Sequence, residues 1–156
     1  MKNLIILFIT SALFFTACTS KNATNYFKHD NMYGNALQYT KSKSIKDKTE
    51  VKAIFTATYL NAIDEQFDSK DYDQFIVGTY IKDGYMNVYT LTLNFKRPDI
   101  KESFDENHPL YNKLPLFNKW ASYQIVKFKK QEGIEKLDLK MKHLSLGSVS
   151  LKFDSI

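Results

Sequence analysis

Apolar and polar residues alternate along several stretches of this chain, and the alternation predicts β-strands. Phe55 and Tyr59, for example, fall on one face of an extended segment and Thr56 falls on the other, because successive side chains of a strand point to opposite faces. The same alternation of apolar and polar residues recurs in several later stretches, the last of them close to the C-terminus. We predict strands at residues 49–59, 74–82, 85–95, 120–129, 136–142 and 148–154.

The dipeptide Asp83-Gly84 separates the second and third predicted strands. A two-residue Asp-Gly loop is the strongest local signal for a β-hairpin, because both of its residues must adopt positive φ. The resulting register places Ile81 opposite Met86 and Gly78 opposite Tyr89, so that Gly78 would leave room for the tyrosine ring. Both faces of this hairpin carry large apolar side chains, which predicts a central position in a sheet.

Helical spacing replaces the alternation before the first strand. Apolar residues from Met32 to Leu37 recur at helical intervals, and Asp30 or Asn31 is suited to cap the start, so we predict a helix over residues 30–42. Residues 41–48 carry four lysines and are interpreted as a basic connector. Residues 96–118 hold all three prolines and several apolar residues, which indicates a long irregular loop packed on the body.

The order of these elements predicts the fold class. Helices do not separate the predicted strands, so a parallel α/β sheet is disfavoured. We expect a mainly β protein: an antiparallel β-sandwich of about six or seven strands with one N-terminal helix. The arrangement would be comparable to that of immunoglobulin domains, although the Cys…Trp…Cys core signature is absent from the sequence.

The first twenty residues differ from the rest of the chain. Lys2 gives a positive start, an apolar run follows from Leu4 to Phe15, and small residues come next. This pattern describes a secretory signal peptide. The apolar run is shorter than the roughly 20 residues that a helix needs to cross a hydrocarbon core.

The four residues Phe15-Thr16-Ala17-Cys18 resemble the lipobox of bacterial lipoproteins, although Phe15 stands where that motif usually has leucine. The resemblance implies cleavage before Cys18, acylation of its thiol with diacylglycerol and acylation of the new amine. Thr19, in place of the aspartate that retains lipoproteins on the inner membrane, implies transport to the outer membrane. The alternative is an ordinary secreted protein with a cysteine near its cleavage site.

These features divide the chain into three parts. We predict a signal peptide at residues 1–17, a lipidated tether at 18–25 and a single β-sandwich domain at 26–156. Removal of the 17-residue leader from the 156-residue chain leaves 139 residues, which is the size of one domain. Cys18 is the only cysteine, so an intrachain disulfide is excluded.

The charge is moderately basic, with 22 Lys and Arg residues, 17 Asp and Glu residues and a formal net charge of +5. Arg97 is the only arginine, whereas arginine is preferred for bidentate contacts to phosphates and bases. We therefore expect no nucleic-acid partner. The lysines are expected to solvate the surface and to face anionic lipid or polysaccharide.

The sequence offers few candidates for metal-binding or catalytic residues. The acidic residues between Asp64 and Asp73 lack the glycine and the ligand spacing of an EF-hand loop. His29, His108 and His143 are far apart in the sequence and match no zinc motif. Neither a Gly-x-Ser-x-Gly motif nor a glycine-rich phosphate loop occurs. We accordingly predict no metal, no cofactor and no enzymatic activity, with an enzyme of dispersed residues as an alternative.

Function follows only in outline. The predicted protein is an outer-membrane-anchored lipoprotein whose β-sandwich makes protein contacts in the cell envelope, for assembly, adhesion or scaffolding. The alternative is a lipid-tethered module that binds a small ligand or glycan in a pocket under residues 96–118. Six tyrosines are candidates for a binding surface or, alternatively, for cross-strand packing: Tyr72, Tyr80, Tyr85, Tyr89, Tyr111 and Tyr123.

Overall fold

One helix and eight strands make up the part of the chain that the computed structural model describes, residues 31–83, 85, 88–115 and 118–156. Short 3-10 turns occur at Leu60–Ala62, Glu65–Phe67 and Tyr111–Lys113. The main elements are α1 (Asn31–Gln38), β1 (Thr40–Asp47), β2 (Glu50–Tyr59), β3 (Tyr72–Ile81), β4 (Tyr89–Leu93), β5 (Ile100–Phe104), β6 (Ser122–Lys129), β7 (Lys136–His143) and β8 (Gly147–Asp154).

The strands form two antiparallel sheets. The large sheet has the order β1-β2-β3-β6-β5, and the small sheet has the order β4-β7-β8. The prediction of a mainly β, antiparallel sandwich with one N-terminal helix is confirmed, with eight strands where six or seven were expected. An immunoglobulin-like arrangement is not confirmed. Asn31–Ile156 forms one unit, whereas the predicted boundaries at residues 17, 18 and 25 lie outside the described residues.

The main core lies between the two sheets and is rich in aromatic rings. Phe75 of β3 is at its centre: its ring stacks on Tyr59 at 4.9 Å and meets the edge of Phe153 at 5.3 Å. These residues occupy alternate positions of their strands, so the period-2 pattern in the sequence delivers all of them to the same side. The small sheet contributes Leu91, Leu139, Met141 and Leu151 to the same cluster.

A second apolar cluster covers the outer face of the large sheet. Met32 and Ala36 of α1 pack there with Ile76 of β3, and Leu110 and Leu114 join them from the segment that follows β5. The large sheet is therefore covered on both faces. This double burial explains why β3 carries apolar side chains at consecutive positions instead of at every second one.

The predicted hairpin at Asp83-Gly84 is wrong. β3 lies between β2 and β6 in the large sheet, and β4 belongs to the small sheet. Ile81 pairs with Ala53, and Met86 lies outside the described residues. A strand that is buried on both faces gains more from two long-range neighbours than from one local hairpin, so tertiary pairing overrides the turn signal.

Gly78 does make room for a tyrosine ring, but the tyrosine is Tyr123 of β6, its partner in the register. A Cβ atom at position 78 would collide with Cε1 of Tyr123 and lie 2.9 Å from its Cδ1. The reason predicted for this glycine is therefore correct, and the predicted partner, Tyr89, is wrong.

Two edge strands were not predicted. The helix ends at Gln38, and the presumed basic connector is β1, whose lysines are exposed. Lysines on an edge strand discourage pairing with other chains. They also replace the alternating apolar residues from which a strand is recognised in the sequence. β5, with the single fully buried side chain Phe104, is hidden in the same way within the segment predicted to be irregular.

Candidate functional site

The two sheets have unequal widths, and this leaves one side of the sandwich open. The hydroxyl of Tyr89 on β4 lies 3.2 Å from Oγ1 of Thr79 on β3 and 3.0 Å from Nε2 of Gln124 on β6. β4 is therefore positioned over β3 and β6, while β5 extends past it. On the opposite side Lys41 of β1 donates to the backbone carbonyl of Lys152 on β8, which joins the two sheets. We call the side between β4 and β5 the open side.

A cleft of about 260 Å³, the inter-sheet cleft, occupies the open side. Lys101 and Ser103 of β5 pair with Val126 and Gln124 of β6, so their side chains point toward the small sheet. The small sheet has no strand above them, and they line the cleft instead of a core. The lining residues are Tyr89, Lys101, Glu102, Ser103, Ser122, Tyr123 and Gln124.

A second cleft, of about 410 Å³, lies on the other face of the β5–β6 edge, and we call it the loop cleft. It combines aromatic rings with polar groups of the chain that follows β5. The Tyr111 and Tyr123 rings meet edge to face at 6.4 Å, and the Tyr123 hydroxyl accepts a hydrogen bond of 2.5 Å from the backbone N–H of Asn118. Burial raises the pKa of Tyr123, so this phenol stays protonated at neutral pH. The lining residues are Phe104, Asp105, Glu106, Asn107, Tyr111, Ala121, Ser122 and Tyr123.

Three large apolar side chains lie next to the ends of β4, β7 and β6, at the end of the sandwich where Tyr89 contacts Thr79. Val88, Trp120 and Leu144 are exposed by 46%, 71% and 79%. Val88 and Leu144 line a depression of about 240 Å³ that they share with Tyr89, and Trp120 lies two residues before Ser122 of the cleft wall. We call these three residues the apolar rim. Exposed apolar side chains that lie at one end of a domain can form part of an interaction surface.

Two of the acidic residues in the stretch 64–73 have structural roles in the fold. Asp64 accepts a hydrogen bond of 3.0 Å from the backbone N–H of Gln66 and so caps the turn at Glu65–Phe67. Asp73 is buried and accepts a hydrogen bond from Tyr59. Within the described residues, no three side chains of His, Cys, Asp or Glu are grouped so that they would hold a metal ion.

The histidines that the structure describes stabilise turns. Nδ1 of His108 accepts a hydrogen bond from the backbone N–H of Leu110 at 3.2 Å. Nδ1 of His143, a buried residue at the end of β7, is 3.2 Å from the backbone N–H groups of Ser145 and Leu146. His29 and the predicted lipid acceptor Cys18 lie outside the described residues.

The structure brings three of the six candidate tyrosines together at the clefts, namely Tyr89, Tyr111 and Tyr123. Tyr72, Tyr80 and Tyr85 line none of the three cavities. Sequence reasoning missed the polar wall formed by Ser103, Ser122 and Gln124. One signal was present in β6, where the inward positions change from Val126 and Phe128 to the polar Gln124 and Ser122.

No protein-family model matches this sequence, and comparisons with the curated proteins and with the solved structures found no similar protein. Function therefore has to be inferred from the residues of the open side and from the sequence. No helix in the described part of the chain is both long enough and apolar enough to span a membrane.

Proposed function

We propose that this protein is a lipid-anchored, non-enzymatic binding domain of the bacterial cell envelope that contacts another protein through the open side of its sandwich. The observation that carries the proposal is the apolar rim around Tyr89. Trp and Tyr are enriched among the residues that dominate binding energies at protein interfaces, where they combine a large contact area with few rotatable bonds. Burial of Val88, Trp120 and Leu144 against a partner would remove three exposed apolar side chains from water.

The anchor in this proposal is Cys18, and its support is the resemblance of residues 15–18 to the lipobox. One acyl chain holds a protein to a bilayer only marginally, whereas two or more hold it firmly. Thr19 favours the outer membrane as the destination. A domain held in this way searches for partners in two dimensions, so a modest rim is sufficient for a stable contact.

Binding without catalysis is favoured by the lining of the clefts. Ser103 and Ser122 are the serines of the inter-sheet cleft, and neither has a histidine partner among the described residues. A serine nucleophile needs an adjacent base to be reactive at neutral pH. The polar groups of the cleft are better suited to hydrogen bonds with a bound chain.

The loop cleft supports a second candidate function, the binding of a small ligand or glycan. Its volume of about 410 Å³ lies within the usual range of ligand sites, roughly 300–1,000 Å³. Aromatic rings from Phe104 and Tyr111 lie beside the polar groups of Asp105 and Asn107. This combination provides apolar surface for a sugar ring and polar partners for its hydroxyls.

The proposal is tested by site-specific photo-crosslinking in intact cells. A photoreactive residue at Leu144 or Trp120 is expected to yield one discrete crosslinked protein. The same group at Leu37, which is 50% exposed and belongs to the helix on the outer face of the large sheet, is the matched control. Equal products from both locations, or none at the rim, overturn the proposed contact. If the purified protein retains a glycan or small metabolite and Tyr111→Ala does not, the second candidate function, ligand binding in the loop cleft, is supported.

The anchor has a separate test. Intact-mass measurement on membrane fractions is expected to show the mass of the added acyl groups on the wild-type chain and not on Cys18→Ser. The same mass for both chains, after allowance for the substitution, contradicts lipidation at Cys18.

A further inference from the structure

The inner face of the large sheet changes from apolar to polar on the open side. Phe128 and Val126 of β6 belong to the main core. The next two positions on the same face are Gln124 and Ser122, because every second side chain of a strand points the same way. Inward positions of a sandwich normally fill the core between the sheets. These two polar side chains therefore face the inter-sheet cleft, where apolar ones would have extended the core.

β3 and β5 continue this polar surface on either side of β6. Thr79 of β3 pairs with Ser122, and Ser103 of β5 pairs with Gln124. Lys101 lies two residues before Ser103 and shares its face. Inward positions on three adjacent strands thus carry hydroxyl, amide or ammonium groups: Thr79, Lys101, Ser103, Ser122 and Gln124.

Hydrogen bonds to Tyr89 hold one part of this surface in place. The hydroxyl oxygen of Tyr89 accepts from Nε2 of Gln124 at 3.0 Å and from the hydroxyl of Thr79 at 3.2 Å. Thr79 is 3% exposed, so this contact is shielded from water. The Gln124 amide uses one of its two N–H groups here, and the second has no acceptor among the described residues.

The other polar groups of the cleft have unused donors. Lys101, Ser103 and Ser122 are exposed, and their side chains make no hydrogen bond or ion pair with another described residue. Glu102 alternates to the other face of β5, where it pairs with Lys127 at 3.1 Å. The inward positions of the cleft wall therefore supply one positive charge, from Lys101, and no negative charge.

This set of groups favours a carboxylate as the charged group of a ligand. A carboxylate accepts hydrogen bonds and donates none, and its bonds to charged donors are short and strong. Phosphate sites commonly use arginine or the backbone N–H groups at a helix N-terminus. The described residues that line this cleft include no arginine and all lie in strands.

The size and the neutral groups of the cleft favour a small hydroxylated ligand. Its volume of about 260 Å³ lies just below the usual range of ligand sites, roughly 300–1,000 Å³. Serine hydroxyls and the glutamine amide both donate and accept hydrogen bonds, which suits the hydroxyl groups of a sugar ring. The loop cleft, by contrast, is lined by Asp105 and Glu106, which would repel a carboxylate.

We propose that the inter-sheet cleft binds a sugar acid, with the carboxylate on Lys101 and the sugar hydroxyls on Ser103, Ser122 and Gln124. Two sources carry this chemistry: a free sugar acid, and a uronic acid unit of an envelope polysaccharide. The exposed cleft wall leaves room for such a polysaccharide to continue beyond the site. The inference goes beyond the protein contact proposed for the apolar rim and does not depend on it.

The test is a chemical-shift titration of the full chain, isotope-labelled and purified in detergent. The probes are D-galacturonate and D-glucuronate. D-galactose and D-glucose, which have a hydroxymethyl group in place of the carboxylate, are the matched neutral controls. The acids are expected to give saturable shifts at the side-chain amide of Gln124 and at the backbone amides of Lys101 and Ser103, and the neutral sugars are expected to give none. Tighter binding of an oligogalacturonate than of D-galacturonate would indicate a polysaccharide as the source, and equal binding a free acid.

Three exposed positions supply the variants. Lys101→Gln is expected to weaken binding of the acids by about tenfold or more, because it removes a hydrogen bond between charged groups. Ser103→Ala is expected to weaken it by about two- to tenfold. Lys43→Gln, on β1 at the opposite edge of the large sheet, is the control and is expected to change it by less than about twofold.

Three results would overturn the site: no saturable shift with either acid, equal shifts with the neutral sugars, or an affinity that Lys101→Gln leaves unchanged. Shifts centred on Asp105 and Tyr111 would place the ligand in the loop cleft and would also overturn it. None of these results bears on the crosslinks from Leu144 and Trp120, which test the proposed protein contact separately.

Discussion

The hydroxyl of Tyr59 donates a hydrogen bond of 2.7 Å to Oδ1 of Asp73, and both side chains are buried at one end of the main core. Burial is the largest influence on the carboxyl group and raises the pKa of Asp73, although the hydrogen bond from Tyr59 and the charge of Lys130 act in the opposite direction. Burial and the neighbouring carboxylate also raise the pKa of Tyr59 far above its ordinary value. The phenol therefore stays protonated and keeps its role as donor.

This pair predicts a pH-dependent penalty on folding. Because the pKa of Asp73 is higher in the folded chain than in the unfolded chain, its contribution to stability is fully present below about pH 4. That contribution is lost as the pH rises through the folded-state pKa. The free energy of unfolding of Asp73→Asn, measured with urea between pH 3.5 and 7, is expected to rise relative to wild type as the pH increases. Asp71→Asn, at an exposed position, is the control. If the difference in free energy of unfolding between Asp73→Asn and wild type does not vary with pH, the prediction is contradicted.

Removal of the donor has a different effect. Tyr59→Phe keeps the ring that stacks on Phe75 and leaves the buried carboxylate of Asp73 without its hydroxyl partner. We expect a loss of about 1–3 kcal/mol in the free energy of unfolding at pH 7, and a smaller loss at pH 3.5, where the carboxyl group is protonated. Denaturant unfolding of the single and double variants with Asp73→Asn measures the coupling. Additive effects of the two substitutions would show that the hydrogen bond is unimportant.

Gly78→Ala is expected to destabilise the domain by about 1–3 kcal/mol. The added methyl group would collide with the ring of Tyr123, and that ring is held by edge-to-face contacts with Phe104 and Tyr111. The matched control is Gly34→Ala in α1, where a Cβ atom meets nothing within 4 Å and a gain of up to about 1 kcal/mol is expected from helix propensity. Thermal unfolding of the two variants should shift in opposite directions; a shift of both in one direction would count against the packing argument.

Phe95 is exposed by 92% and has a φ of 69°, in a two-residue turn after β4 where Asn94 has a φ of 47°. Asparagine tolerates this left-handed region, whereas a bulky side chain such as phenylalanine is strained there. Phe95→Gly is expected to raise the free energy of unfolding by about 1 kcal/mol, because it relieves this strain and removes no packing. Lys96→Gly, next in the chain, lacks a positive φ and is expected to lower it by about 0.5–1 kcal/mol. A destabilised Phe95→Gly would show that the ring makes a stabilising contact.

Strands were predictable where the alternation of apolar and polar residues is complete within a few residues. β7 buries every second side chain, and β2 and β8 do so over part of their length, so residues 49–59, 136–142 and 148–154 were identified nearly to their ends. β1 and β5 were not, because an edge strand needs few apolar residues and gains from exposed lysines. The open side could not be predicted for the same reason, since β5 forms one of its walls.

Local information in the chain was thus enough for the mainly β class and for the sandwich with its N-terminal helix, whereas the lipobox at Cys18 stays a prediction from a short motif. Each of these depends on neighbouring residues alone: on a period of two, a period of 3.6 or a short motif. The partner of each strand was decided only when the chain closed into two sheets. Because β3 is buried on both faces, it pairs with β6, and β4 pairs with β7 in the small sheet. The unequal widths that follow, five strands against three, create the cleft beside Tyr89.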